Sequence, residues 1–223
     1  MPDQSALDWR GETPVSTRFE DPYYSLENGL AETAYVFLSG NRLPERFRDG
    51  FRIAELGFGT GLNLLAALHA WRQSGTPGTL HFTSFEAFPL SPQDMTRAHA
   101  AFPEIADLAA ELAPHWGKHA FTLPGLRFAL FEGDARDTLP SWPGQADAWF
   151  LDGFSPARNP ELWSPELMGE VARHTAPGGT AASYTAAGHV RRALQAAGLE
   201  VTRAKGYGRK RHMTTACKPD LST

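Results

Sequence analysis

The chain has 223 residues, 42% hydrophobic and 21% charged, a size and balance that suit one domain with a full core and a modest appendage. A net charge of −4 argues against a protein that coats nucleic acid nonspecifically, because that mode depends on neutralising phosphates. The lone Cys217 rules out an internal disulfide framework or a multi-cysteine metal site, and no metal centre is expected. No apolar run approaches the ~20 residues that a membrane span requires, and MPDQSALDWRGETP at the N-terminus has neither a basic start nor an apolar signal core. A cytoplasmic protein is expected.

Residues 1–50 follow neither a helical nor a strand pattern well. TAYVFLSGNRL (33–43) reads as a strand or a short helix, and the whole segment is expected to cap a domain spanning 51–223. From Phe51 onward strand-like and helical runs alternate. FRIAEL (51–56) precedes a helix over about 61–72, and LHFTSFE (80–86) precedes helical stretches between 91 and 113. LRFALFEGD (126–134), ADAWFLD (146–152) and GTAASYT (179–185) are further strands, with helices near 165–174 and 187–197. This alternation predicts an α/β fold with a mainly parallel sheet and helices on both faces. LEVTRAKGYG and KRHMTTACK then read as an antiparallel hairpin at the sheet edge. Between them RAKGYGRKRH (203–212) holds five Lys or Arg in ten positions, either a solvated turn or a phosphate contact site.

ELGFGTGLN (55–63) lies where the first core strand turns into a helix, and ligands of open α/β sheets bind at that edge. Gly57, Gly59 and Gly61 let the backbone turn sharply and approach a ligand, although any tight strand-to-helix turn uses glycine. The chain lacks G-x-x-x-x-G-K-[ST], the cradle of a nucleoside triphosphate. The third glycine comes one position too early for the dinucleotide fingerprint G-x-G-x-x-G. Carboxylates mark successive strand ends: Glu55 opens the turn, Glu86 could accept both hydroxyls of a ribose, and Asp134 could meet an adenine amino group. A fourth, Asp152, closes the apolar strand in DAWFLDGFSPARNPELWSPEL (147–167). There it can orient an amine and accept its hydrogen bonds or its proton, or merely cap the loop. Phe154 is the aromatic residue of that loop favoured as a substrate contact, ahead of Trp149 and Trp163.

The glycine turn with its strand-end acids resembles the Rossmann-like, class I S-adenosylmethionine-dependent methyltransferases. FEDPYYSLENGLAETAYVFLSGNRL, ELGFGTGLNLL, SFEAFPLSPQDM, AWFLDGFSPARNPELWS and GYGRKRHM are, in that order, similar to the methyltransferase part of the MnmC family. The similarity extends from about residue 19 to 216. It implies S-adenosyl-L-methionine as cofactor and the wobble uridine in a tRNA anticodon loop as substrate, whose 5-aminomethyl group, usually on 2-thiouridine, becomes 5-methylaminomethyl. It further implies that Glu55, Gly57, Phe58, Gly59, Gly61 and Asn63 line the methionine end of the cofactor, with Glu86 at the ribose and Asp134 at the adenine. Asn28, Gly29 and Glu32 would cover the cofactor from the cap, and Asp152 would face the methyl group and the amine. Lys205, Arg209, Lys210 and Arg211 become candidate RNA backbone contacts. The two-part members carry a flavin oxidoreductase as well. This chain, without a second dinucleotide fingerprint, reads as the stand-alone methyltransferase form, supplied by a separate FAD-dependent oxidoreductase or by upstream uridine-modifying enzymes. Ala87 and His212 stand where the family often has Lys and Glu. A methyl- or aminopropyltransferase for a small amine keeps the same fold, and a non-catalytic RNA-binding module is the reading from another class.

Overall fold

A computed structural model describes residues 7–25 and 28–220. The Leu26-Glu27 half of the Leu-Glu-Asn-Gly stretch lies outside the described residues, as do the first six and last three positions.

The N-terminal segment opens with three short antiparallel strands, β1 (Leu7–Arg10), β2 (Thr13–Ser16) and β3 (Asp21–Pro22), which form a small sheet of their own. Strands of two to four residues are too short to display an alternating pattern, and all of β2 is buried, so nothing in the sequence distinguishes them from loop. Helix α1 (Gly29–Thr33) follows and continues through a π turn over Ala34–Leu38 and a 3-10 turn over Ser39–Asn41. The segment read as strand or helix is therefore helical. Fully buried Asn41 ends it by donating from Nδ2 to the carbonyls of Phe37 (2.9 Å) and Trp149 (3.2 Å).

The remainder alternates as expected. In chain order the elements are β4 (Arg52–Leu56), α2 (Leu62–Ser74), β5 (Leu80–Glu86), α3 (Pro92–His99), α4 (Ala106–Leu112), β6 (Ala120–Leu123) and β7 (Leu126–Glu132). Then come α5 (Ala135–Thr138), β8 (Ala146–Leu151), α6 (Pro165–Arg173), β9 (Thr175–Ser183), α7 (Gly188–Ala196), β10 (Glu200–Lys205) and β11 (His212–Cys217). Eight strands form one sheet in the order β10-β11-β9-β8-β4-β5-β7-β6. The five central strands are parallel, and β10–β11 is the expected antiparallel edge hairpin. Edge strand β6 was not legible: it hairpins onto β7 through Pro124-Gly125, and its four residues lie in a helix-rich stretch. Strand β9 starts at Thr175 rather than 179, because Ala146 pairs with Thr175 before the ladder skips to Ala148 opposite Thr180.

Side chains alternate across the sheet with period two, and the alternation decides which strand residues reach the site. On one face Ile53, Phe82, Phe128, Ala148 and Phe150 pack against Leu64, Leu65 and Leu68 of α2. These leucines are fully buried, and each such burial is worth about 1.5–3 kcal/mol. On the other face Ala54, Leu56, Phe85, Trp149 and Leu151 pack under α6 and α7. By the same count Glu55, Ser84 and Asp152 belong to the α2 face. Strand order reverses at β4, with β5 on one side and β8 on the other, and crevices of this kind hold ligands in open α/β sheets.

Candidate active site

The site is built where β4, β5 and β8 end together. Gly57 N–H donates to Phe85 O (2.9 Å) and Asp152 N–H to Leu56 O (3.1 Å). Gly57 has φ +85°, and a Cβ there would lie 2.0 Å from the carbonyl oxygen of Asp152. Only glycine lets the two strand ends meet this closely. The turn continues through Gly59 and Gly61, also at positive φ, and enters α2. His99 pins it from α3: Nε2 lies 2.7 Å from Thr60 O. Burial lowers the His99 pKa to about 4, so the ring is neutral, and a carbonyl partner requires the proton to sit on Nε2.

Beneath the turn, Asn63 in the first turn of α2 bridges two carboxyl groups. Its Nδ2 donates to Glu55 Oε1 (2.8 Å) and to Asp152 Oδ2 (2.7 Å), while its Oδ1 accepts from Thr33 Oγ1 (3.0 Å). Ser84 Oγ donates to the other oxygen of Glu55 at 2.6 Å. Glu55 is fully buried. Burial pushes its carboxyl well above the usual range, against the opposing hydrogen bonds of Ser84 and Asn63. Asp152 is the outer member of this network. Burial raises its pKa to about 7, Asn63 and Lys210 oppose the rise, and Glu32 adds to it. A carboxyl group that titrates near neutrality in a cavity is suited to exchanging a proton with an amine.

The cavity above holds about 820 Å³, room for a nucleoside-sized cofactor and part of a second ligand. Gly57, Phe58, Gly59, Asn63, Glu86, Asp134, Gly29, Glu32, Asp152, Phe154, Arg209 and Lys210 all border it, so most of the residues singled out from the sequence converge here. Glu86 is held ready, with Oε2 accepting from Gly59 N–H (3.1 Å) and Oε1 from Phe88 N–H (2.7 Å). Others are placed differently from expectation. Glu55 lies under the wall and supports Asn63 instead of facing the cavity. Gly61 is buried at the start of α2. Asn28 is exposed and caps α1, accepting from Ala31 N–H (2.9 Å). Asp134 borders the cavity, yet its carboxylate accepts from the backbone N–H and the guanidinium of Arg136; that ion pair holds its pKa below the ordinary value. Lys205 and Arg211 are exposed and off the wall. Trp149 and Trp163 are core residues.

Several contributors escaped the sequence reading. Phe19 stacks on Phe154 (centroids 4.6 Å apart) and Tyr23 meets Phe154 edge-on (5.0 Å), so the N-terminal segment supplies half of an aromatic wall. Asp21 accepts from Ser155 N–H (2.9 Å) and Glu20 pairs with Arg158, tying that segment to the loop after Asp152. Tyr184, just past β9, donates to Gly153 O (2.7 Å). Its place at the carboxyl end of a core strand was the available signal; the N-terminal partners carried none.

A sheet with this switch point, a glycine turn and strand-end acids defines a class I methyltransferase. A family model described as S-adenosyl-L-methionine-dependent methyltransferase matches residues 103–219, and the chain belongs to that family. Its methyl donor is S-adenosyl-L-methionine. Among curated proteins, the tRNA 5-methylaminomethyl-2-thiouridine biosynthesis bifunctional protein MnmC of Aeromonas hydrophila is 47% identical over 93% of this chain and 34% of its own length. The protein of the same name from Caulobacter sp. (strain K31) is 44% identical over 99% of this chain and 39% of its own length. The chain thus spans little more than a third of these relatives. Among solved structures, MNMC2 from Aquifex aeolicus superposes with a TM-score of 0.78 at 26% identity, covering 99% of this chain and 74% of that one. A methyltransferase from Pyrococcus furiosus, at 15% identity and a TM-score of 0.52, shares the fold.

The residues present fit the cofactor. Gly57 and Gly59 border the cavity at positive φ, and a Cβ at Gly59 would press on the Tyr23 ring at 3.0 Å. The glycine turn thus borders the cavity beside the anchored carboxylate of Glu86.

Proposed function

We propose that the protein methylates the nitrogen of the 5-aminomethyl group on the wobble uridine or 2-thiouridine of tRNA, giving the 5-methylaminomethyl nucleoside. The observation that carries this reading is Asp152, a carboxyl group poised near neutrality, fixed by Asn63 and opening into a cavity beside the aromatic pair Phe154–Phe19. Similarity to MnmC proteins over 93% and 99% of the chain supports the acceptor. A wobble base lies in a single-stranded loop and enters a pocket without breaking a duplex.

S-adenosyl-L-methionine supplies an electrophilic methyl group. In this reading the Gly57–Gly59 backbone holds its methionine end, Glu86 accepts the ribose hydroxyls, and the Asp134 wall bounds the adenine. Gly29 and Glu32 close the cavity from the cap side, and Phe154 stacks on the uridine. Asp152 orients the amine and takes its proton, exposing the lone pair for in-line attack. Lys205, Arg209 and Arg211 contact RNA phosphates, so binding weakens with salt. An FAD-dependent oxidoreductase activity or upstream uridine-modifying enzymes supply the aminomethyl group, and the reaction takes place in the cytoplasm. Among the described residues no helix is long and apolar enough to cross a membrane.

Incubation with S-adenosyl-L-methionine and tRNA bearing 5-aminomethyl uridines, followed by nucleoside mass spectrometry, is expected to yield the 5-methylaminomethyl products. Transfer to a polyamine and none to tRNA would return the acceptor to small amines. Glu86→Ala is expected to weaken cofactor binding by about ten- to a hundredfold, the worth of hydrogen bonds to a charged group, as calorimetry would measure. Unchanged affinity would remove Glu86 from the ribose.

A further inference from the structure

Glu32 and Lys210 come from opposite ends of the chain and meet over Asp152. Lys210 Nζ lies 2.7 Å from Glu32 Oε1 and 4.4 Å from the centroid of the Tyr184 ring. All four residues border the same cavity. The two ends of the ion pair are unequally committed. The Glu32 side chain is 13% exposed and the Lys210 side chain 48%, so the carboxylate is built into the wall, whereas the ammonium reaches in from a half-solvated turn. A primary ammonium facing two carboxyl groups and an aromatic face is chemically what a 5-aminomethyl substrate would present.

We propose that Glu32, Asp152 and the Tyr184 ring form the recognition site for the substrate's ammonium group, and that Lys210 fills it in the resting protein as an internal stand-in which the substrate displaces. This rests on the acceptor proposed above and reassigns two residues. Glu32 selects the charged amine instead of covering the cofactor, and Lys210 guards the site instead of gripping RNA. The ion pair also keeps Glu32 from standing as an unpaired charge in a partly buried wall. Tyr35 Oη to Lys205 O (3.2 Å) and the Tyr35–Tyr207 ring contact also tie the hairpin tip to the cap without passing through Lys210, so its side chain can leave while the tip stays in place.

The test uses the protein loaded with S-adenosylhomocysteine and two nucleoside probes of similar size, 5-aminomethyluridine and its uncharged analogue 5-hydroxymethyluridine. The wild type is expected to prefer the amine, and Glu32→Gln to reduce that preference at least about tenfold, the low end for loss of a hydrogen bond to a charged group, with affinity for S-adenosylhomocysteine unchanged. Lys210→Met is expected to bind the amine more tightly than wild type, and methylammonium should raise its thermal stability while leaving wild type and the Glu32→Gln/Lys210→Met double variant unmoved. An RNA-gripping Lys210 gives no gain on a free nucleoside and no methylammonium effect; either result overturns the stand-in. Weakened S-adenosylhomocysteine binding by Glu32→Gln with the amine preference intact overturns the recognition role. If wild type binds neither nucleoside, the uridine acceptor fails, and the methylammonium response still decides the ammonium site.

Discussion

Asp152→Asn is expected to stop methyl transfer and to stabilise the fold. Asparagine is nearly isosteric and its carbonyl can still accept from Asn63 Nδ2, so the bridge to Glu55 survives. What disappears is the ability to take a proton, and loss of a positioned general base costs about 10²–10⁴-fold in rate. The stability gain follows from the raised pKa. Folded Asp152 keeps its proton up to about pH 7, whereas an unfolded aspartate releases it near pH ~3.9. The folded state therefore holds the extra proton between those values, so stability is lost as the pH rises from about 4 to 7 while only the unfolded chain ionises, and the whole penalty is present above pH 7. The full shift corresponds to an upper bound of about 4 kcal/mol, of which about 1–3 kcal/mol should survive relaxation of the site. Denaturant unfolding at pH 8 should show Asp152→Asn as the more stable protein, with the gap closing as the pH falls toward 4. In single-turnover assays of the wild type, the rate should fall with the pH through about 7 as Asp152 gains its proton. Asn63, Glu32 and Lys210 act on this carboxyl, and their variants should move that midpoint. Transfer by Asp152→Asn at high pH within a few-fold of wild type would make Asp152 an orienting acceptor and not a base.

The central sheet and the outline of the site were legible because both rest on local patterns. Alternation in ADAWFLD sets Phe150 and Asp152 on one face, and the same count in RIAEL sets Glu55 there, so the meeting of Glu55, Asn63 and Asp152 under α2 was implicit in three short stretches. The direction of each group was not. Glu55 looks like Glu86 in sequence, an acid at a strand end. Glu55 falls one residue short of the end of β4, on the face covered by α2, and is buried, whereas Glu86 is the last residue of β5 and reaches the cavity. One position decides between a buried support and a carboxylate that reaches the cavity. Long-range partners were illegible for a different reason. The contacts of Phe19 with Phe154, Asp21 with Ser155 and Glu32 with Lys210 join segments more than 130 positions apart, and no periodicity links such pairs. Asp134 illustrates a local competitor: Arg136, two positions on, claims the carboxylate that was assigned to adenine.

Gly57→Ala should be the most damaging single-methyl change in the chain. The added Cβ would sit 2.0 Å from Asp152 O, 3.0 Å from Asp152 C and 3.3 Å from Gly153 Cα. Each of these is backbone, so no side-chain rotation relieves the clash. The φ of +85° adds about 1 kcal/mol for an L-residue in the left-handed region. Relief requires parting the ends of β4 and β8, which breaks the Asp152 N–H to Leu56 O bond and swings Asp152 away from Asn63. A stability loss of about 3–5 kcal/mol is expected, in the range of overpacked and strained core positions, together with loss of S-adenosyl-L-methionine binding by calorimetry. Gly75→Ala is the matched control. Gly75 also has positive φ, at +66°, but a Cβ there meets nothing within 4 Å, so only the conformational cost of about 1 kcal/mol applies and cofactor affinity should hold. If Gly57→Ala retains the cofactor as Gly75→Ala does, the close approach of the two strand ends is not what shapes the cradle. If only Gly57→Ala loses it, the positive φ common to both variants is excluded as the cause, and the contact between the two strand ends is the element on which both the cofactor site and the placement of Asp152 depend.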